Sequence, residues 1–312
     1  MKLLLQLVAV AYVLALSPLV AGCIARWSAL IQSKRGPTIW QPYYDLAKLF
    51  RKEMVLAPSA SWIFRLCPFL SFATPIAVAV LIPVYTGYPL YMAFAGDMLA
   101  GGFVLGLGGF FYSLAALDTG SPYAALSSSR ARVVSLMVEP TLFLIFFGVS
   151  LVAGGTVPFV VTKALAAPDE LLSPTHLLLI VALFLVILAE TGRIPIDTHS
   201  GREELLMVEG GRSFEYSGPY LALLHWGGWM RQMVLMLILM NVIVGPWGLA
   251  ADTAPWHVAA ALLWVFVKLM IVSALVVVVE QSYAKMRFFR IPEYMGAAFV
   301  LTLLAVLFQL VR

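Results

Sequence analysis

The chain contains eight long apolar runs, and their lengths limit what it can fold into. They cover residues 3–24, 66–84, 98–117, 133–153, 174–189, 219–244, 256–279 and 294–311. A helix that crosses a bilayer needs about 20 predominantly apolar residues. Only helices and closed barrels satisfy every backbone polar group in lipid, and barrel strands are about half this length and alternate in polarity. The runs therefore predict an all-α integral membrane protein, one polytopic domain over residues 1–312 with about eight transmembrane helices. Composition agrees: 62% of residues are hydrophobic and 12% charged, with a mean hydropathy of +0.95. A soluble domain carries about 25% charged residues. The fifth run is the shortest, which puts Glu190 at or inside the membrane boundary.

Positive charge orients the runs. The first, third, fifth and seventh loops hold 7, 2, 3 and 3 Lys or Arg, and the second, fourth and sixth hold 0, 1 and 0. This predicts cytoplasmic odd-numbered loops and both termini outside, in a cell inner (plasma) membrane. Val20-Ala21-Gly22-Cys23 resembles a lipoprotein cleavage site, but the basic residues behind it favour a first membrane span instead. The net charge of +4 reflects this loop asymmetry, and no nucleic-acid partner is read from it.

Residues 190–218 hold six of the chain's 16 acidic residues, Glu190, Asp197, Glu203, Glu204, Glu209 and Glu215, together with Arg193, Arg202 and Arg212. A carboxylate hairpin between two membrane helices is costly unless it meets water, a partner or a conducted ion. Mutual repulsion makes such a cluster titrate as a unit. Three more charges fall inside the runs: Glu139, just before Pro140, and Arg231 and Lys268 near the centres of the sixth and seventh runs. Each would cost about 3 kcal/mol if left unpaired in lipid. Glu139, Glu190 and Glu280 are the available counter-ions. Static ion pairs and groups that exchange a conducted proton both account for the pattern.

Other chemistry is poorly supported. The two cysteines, Cys23 and Cys67, cannot hold an iron–sulfur cluster by themselves, and the four histidines show no haem or zinc spacing. No metal site and no cofactor bound by this chain is expected. The third run is rich in glycine, but no strand precedes it, so Gly102-xxx-Gly106 reads as close helix packing rather than a nucleotide loop. In the first loop Gly36-Pro37 marks a turn. Residues 42–54 then suit an amphipathic surface helix, with Leu46, Leu49, Phe50 and Met54 at helical spacing. The surface around Arg35, Asp45 and Lys48 is a candidate docking site.

Three separated motifs carry a family resemblance. Gln32, Gly36, Pro37, Gln41, Asp45, Lys48, Phe50, Lys52 and Glu53 form the first. Ala189-Glu190-Thr191-Gly192-Arg193-Ile194-Pro195-Ile196-Asp197, with Glu204-Leu205 and Glu215-Tyr216-Ser217-Gly218, forms the second. Leu117-Asp118-Thr119-Gly120-Ser121-Pro122, with Ser129-Arg130 and Val138-Glu139-Pro140, forms the third. Together they resemble the membrane subunit family shared by respiratory complex I, where it lies beside the quinone site, and formate hydrogenlyase and other membrane-bound nickel–iron hydrogenases. The third motif is closer to the hydrogenase branch.

The resemblance implies a non-catalytic membrane anchor and ion-coupling subunit of an oxidoreductase complex, with proton or sodium movement as its task. It implies proton-pathway roles for Glu139, Glu190, Asp197, Glu203, Glu204, Glu209, Glu215, Arg231, Lys268 and Glu280. Arg35, Gly36, Pro37, Asp45, Lys48 and Arg193 would face partners. Those partners would be hydrogenase-like large and small subunits carrying the nickel–iron centre, an iron–sulfur subunit and an antiporter-like membrane subunit. A quinone-site subunit of a complex I-type NADH dehydrogenase and a stand-alone ion transporter are the alternatives. The topology makes a direct prediction: a reporter fused after Arg312 is active only if it works outside the cytoplasm, and activity of a cytoplasm-only reporter contradicts the charge-derived orientation.

Overall fold

The computed structural model describes residues 2–57, 59–193, 210–283 and 290–311. Its α-helices are α1 (Lys2–Ile31), α2 (Gln41–Phe50), α3 (Trp62–Leu81), α4 (Met98–Asp118), α5 (Pro122–Ala153), α6 (Pro158–Leu165), α7 (Pro168–Leu171), α8 (Pro174–Glu190), α9 (Gly218–Leu237), α10 (Pro255–Ser282) and α11 (Ile291–Val311). Beyond Leu237, α9 continues as a π-helical segment, Ile238–Val244. No strand occurs among the described residues, and a lone bridge joins Thr86 to Ala250. Among the described residues seven helices are long and apolar enough to cross a membrane, and α8, at 17 residues, is shorter. The protein is an all-α, multi-pass membrane protein, and each apolar run has become a helix.

α9 with its π extension is the axis of the bundle. In that helix 72% of the most apolar window is buried inside the chain, against 28–44% in the other six long helices. Met230, Met233, Val234, Leu235 and Met236 are fully buried. α9 packs on α1 and α3, α3 on α4, α4 on α5, and α8 on α5 and α11. At Gly227 a Cβ would lie 2.5 Å from the Ser71 carbonyl oxygen, so the backbones of α3 and α9 touch there.

Helix starts follow ordinary capping chemistry. Ser61 accepts from the Ile63 amide at 3.2 Å to open α3, and Asp97 accepts from Leu99 at 2.7 Å to open α4. Proline occupies the first turn of α5, α8, α9 and α10, where its missing N–H costs nothing.

Three boundaries differ from the hydropathy reading. α5 starts at Pro122 rather than near residue 133, so the third loop shrinks to residues 119–121 and Arg130 and Arg132 are helical. Hydropathy registers lipid exposure, whereas this part of α5 packs polar groups against its own chain: the buried Ser128 hydroxyl donates to the Ser113 carbonyl of α4 at 2.8 Å. The amphipathic helix α2 ends at Phe50, four residues before Met54. The fourth loop contains α6, whose Val161 and Leu165 are fully buried.

Two of the sequence motifs act as latches. Asp118 Oδ2 accepts from the Ser61 amide at 2.7 Å, tying the end of α4 to the start of α3, and Gly120 at φ +70° makes the turn into α5. Tyr216 stacks on Phe64 at 3.9 Å and donates its hydroxyl to the Phe64 carbonyl at 3.0 Å. Burial pushes the Tyr216 phenol up, so it stays a donor into the alkaline range. Ser217 Oγ accepts from the Val55 amide at 2.8 Å and donates to its carbonyl at 3.0 Å. Gly218, at φ +53°, could not carry a side chain: a Cβ would lie 2.7 Å from the Glu53 carbonyl oxygen. Together these contacts fasten the start of α9 to the end of the first loop. Tyr216→Phe keeps the stacking and strands a buried carbonyl, so thermal unfolding in nanodiscs should show a loss of about 1–3 kcal/mol.

Candidate functional site

Charged side chains from three helices meet against the glycine-rich face of α4. Arg132 and Glu139 both lie on α5, seven residues apart and therefore on one side of the helix, with Nη1 3.4 Å from Oε1. Glu190, the last residue of α8, pairs with Arg231 of α9. Glu139 lies within electrostatic range of Glu190 and Arg231 as well as Arg132. α4 makes the space: a Cβ at Gly109 would sit 3.3 Å from an Arg231 guanidinium nitrogen, and one at Gly106 would sit 3.8 Å from the Glu139 carboxyl carbon. The α4 glycines thus make room for charge, whereas the sequence suggested only helix packing. Gly102 does pack, against Phe143 and Phe146 of α5.

A second pair lies at the root of the hairpin. Arg193, just past α8, holds Glu280 of α10 at 2.9 Å. The neighbouring Gln281 donates to Ser28 of α1 at 2.7 Å, so the ends of α8, α10 and α1 are joined. The Nε–H groups of Arg193 and Arg231 are buried with no acceptor among the described residues. Buried donors of this kind ordinarily bond water. The network is thus chemically suited to hold water beside carboxylates.

Lys268 joins none of this. It is 7% exposed and donates to Asn241 Oδ1 at 3.3 Å and to the Gly245 carbonyl at 3.1 Å, near the far end of α9. None of the three carboxylates offered by the sequence is its partner among the described residues. Arg231 does take one of them, Glu190.

The remaining candidates divide by position. Asp197, Glu203, Glu204 and Glu209 lie outside the described residues. Glu215 lines a cavity of ≈ 380 Å³ between residues 55–57 and 214–217. In the first loop, Arg26 donates to the Gly36 carbonyl at 3.0 Å and the Pro37 carbonyl at 3.4 Å, folding the Gly-Pro turn onto α1. A Cβ at Gly36 would clash with that of Ala29 at 2.5 Å. Arg35 and Lys48 are exposed, and Asp45 accepts from Gln41 at 3.1 Å and faces Lys48 at 3.8 Å. Exposed Trp40 and Tyr44 complete an amphipathic surface. Arg26, Arg132 and Asn241 were missed from sequence. Arg132 was legible in principle, because it lies two helical turns before Glu139.

Fold and charge network together define a polytopic membrane protein that keeps ion pairs inside its helical bundle. The chain belongs to the NADH dehydrogenase family, which it matches over residues 3–311. It is 32% identical to hydrogenase-4 component C of Escherichia coli (strain K12) over 298 residues, which cover 95% of this chain and 92% of that protein. It is 29% identical to formate hydrogenlyase subunit 4 of the same organism, covering 98% of each. An NADH-quinone oxidoreductase subunit of Rhodospirillum rubrum is 26% identical, over 83% of this chain and 77% of that one. The fold matches a chain of the membrane-bound sulfane sulfur reductase, an archaeal respiratory membrane complex, with a TM-score of 0.84, 20% identity and 99% coverage of both chains. The family read from the three motifs is therefore the right one.

The Glu190–Arg231 pair gives a quantitative expectation. Glu190→Leu leaves a partly buried guanidinium without its counter-ion and should cost roughly 1–3 kcal/mol. Combining it with Arg231→Leu should recover most of that loss in a thermal-unfolding double-mutant cycle, and additive losses would mean that the pair is not coupled.

Proposed function

We propose that this chain is the membrane anchor and ion-coupling subunit of a multisubunit oxidoreductase of the hydrogenase or formate hydrogenlyase type. The observation that carries the reading is the ion-pair network from Arg193–Glu280 at the hairpin root to Glu190–Arg231 and Arg132–Glu139 inside the bundle. Charges in a membrane interior are expensive and tend to mark ion pathways. Paired carboxylates with adjacent unsatisfied N–H donors can exchange protons through water. The family membership and the hydrogenase-4 and formate hydrogenlyase relatives support the same reading.

In this proposal the redox centres, a nickel–iron site and iron–sulfur clusters, sit on cytoplasmic partners docked over the first loop. This chain binds none of them. Electron transfer there changes the charge or shape of the hairpin, including Glu203, Glu204, Glu209 and Glu215. The change passes through Glu190 and Arg231 to Glu139, and onward to an antiporter-like membrane partner. Moving one charge against 100 mV costs about 2.3 kcal/mol, which the redox step must supply.

A second reading, a quinone-site subunit, is supported by the similarity to an NADH-quinone oxidoreductase subunit. Sensitivity to quinone-site inhibitors separates the two readings.

Two experiments test the proposal. Glu139→Gln and Glu190→Gln keep side-chain shape and remove the titrating proton, so each complex should assemble with electron transfer retained while proton-linked activity falls at least tenfold. Pumping at wild-type stoichiometry in both variants would leave only a structural role. Reversing charge at Asp45 and Lys48 together should release the soluble subunits from membranes, and unchanged co-purification would remove the first loop from the docking surface.

A further inference from the structure

Arg132 and Glu139 lie within the span of the bundle but near its outer surface, with side chains 32% and 25% exposed. On α5 they border a stripe of exposed residues, Val133, Leu136 and Pro140, on the side nearest α4. Across from them α4 presents exposed Phe103, Leu107 and Phe110, and the Arg132 guanidinium lies 5.3 Å from the Phe110 ring centroid. Between the two stripes Gly106 leaves the Glu139 carboxyl uncovered, where a Cβ would lie 3.8 Å from it. α4 and α5 thus bound an open groove, with aromatic lips, a glycine floor and an ion pair on one wall.

Depth distinguishes this groove from a surface that faces lipid. Glu139 is 14 residues before the end of α5 at Ala153, about 21 Å along the helix. The Met98 amide donates to the Thr156 carbonyl at 3.0 Å, which sets that end of α5 level with the start of α4. A hydrocarbon core about 30 Å thick therefore contains Glu139. Arg132 takes its Oε1, and no donor among the described residues reaches Oε2. Lipid tails cannot supply one, and exposing a charged pair to them is costly. The outward faces of α10 and α11 are different. Their exposed side chains over residues 263–278 and 299–308 are all hydrophobic, and Lys268, Ser273 and Thr302 on those stretches are buried. Those faces suit lipid, whereas the α4–α5 groove needs a polar occupant.

We propose that the groove between α4 and α5 seats a transmembrane helix of a second membrane subunit, and that this helix presents a hydrogen-bond donor to Glu139. Charge complementarity narrows the occupant. The Arg132–Glu139 pair is neutral overall and its open group is an acceptor. It fits an otherwise apolar helix that carries one donor side chain, such as Ser, Thr, Asn or Gln, at that depth. The glycine floor permits close approach. A second copy of this chain would set one groove against another and bring no helix to fill either. The inference rests on the reading above only in placing the chain in a multisubunit membrane complex, and it requires no ion movement.

The test uses the intact complex in its native membrane, with p-benzoylphenylalanine in place of Phe103, Leu107 or Leu136, and in place of Ile271 or Leu303 as controls. Irradiation should join all three groove positions to one transmembrane segment of another membrane subunit, identified by peptide mass spectrometry, in at least tenfold higher yield than the controls. Leu136→Trp obstructs the groove and should release that subunit from the purified complex, whereas Ile271→Trp should retain it. Adducts with lipid alone, with a second copy of this chain or with a soluble subunit would overturn the proposal. The result is separable from ion coupling: lipid adducts alongside lost pumping in Glu139→Gln would remove this interface and keep the coupling role. A partner-helix adduct alongside unchanged pumping would do the reverse.

Discussion

The structure turns on an ion pair made by an arginine of its central helix. α9 is the most enclosed of the long helices, and Arg231, its side chain 27% exposed, keeps its Nε–H buried with no acceptor among the described residues. It is compensated by Glu190, the residue with which α8 ends. This single pair explains several otherwise separate features. α8 is short, at 17 residues, and ends where its carboxylate meets α9. Glycine occupies α4 at the level of Arg231, where a Cβ would crowd the guanidinium. The hairpin that follows α8 starts from an anchored position, because Arg193 is fixed by Glu280 three residues after Glu190. A protonation change at Glu190 would therefore be felt by α4, α8 and α9 together.

Around that centre, the end of the bundle carrying the first loop is fastened by short polar contacts. Tyr216, Ser217 and Gly218 clasp residues 53–64, while Arg26 clasps the Gly36-Pro37 turn. These contacts hold the start of α9 and the start of α3 in fixed relation to the exposed face of α2. A protein bound to that face would press on elements that lead directly to the ion pairs. Such rigidity is what coupling requires, since a loose linkage would dissipate a change of shape before it reached Glu190.

Much of this was legible in the sequence, for identifiable reasons. A membrane-spanning helix is written in hydropathy, so all eight apolar runs were found close to their true places. The first three turns of α5 were not, because Ser127, Ser128 and Arg132 are polar and bond within the chain, which a hydropathy reading cannot distinguish from a loop. The Ser121-Pro122 start signal was available and would have corrected it. Glu139, Glu190 and Arg231 stood out because charge is rare in such runs. Their pairing was not readable, since it depends on which helices are neighbours. Lys268 shows the limit most clearly: its partners are an amide and a carbonyl made available by a π-helical turn, and no pattern of charges in the sequence points to them.

The central claim is that the ion-paired carboxylates change protonation when the attached redox chemistry turns over. Redox-induced infrared difference spectroscopy on the intact complex reads this directly, because a protonated carboxyl has a carbonyl stretch that a carboxylate lacks. The account predicts a carboxyl band that appears or disappears with reduction and is lost in Glu139→Gln. A difference spectrum without any carboxyl band, or one unchanged in Glu139→Gln and Glu190→Gln alike, would contradict it and leave the ion pairs as structural elements alone.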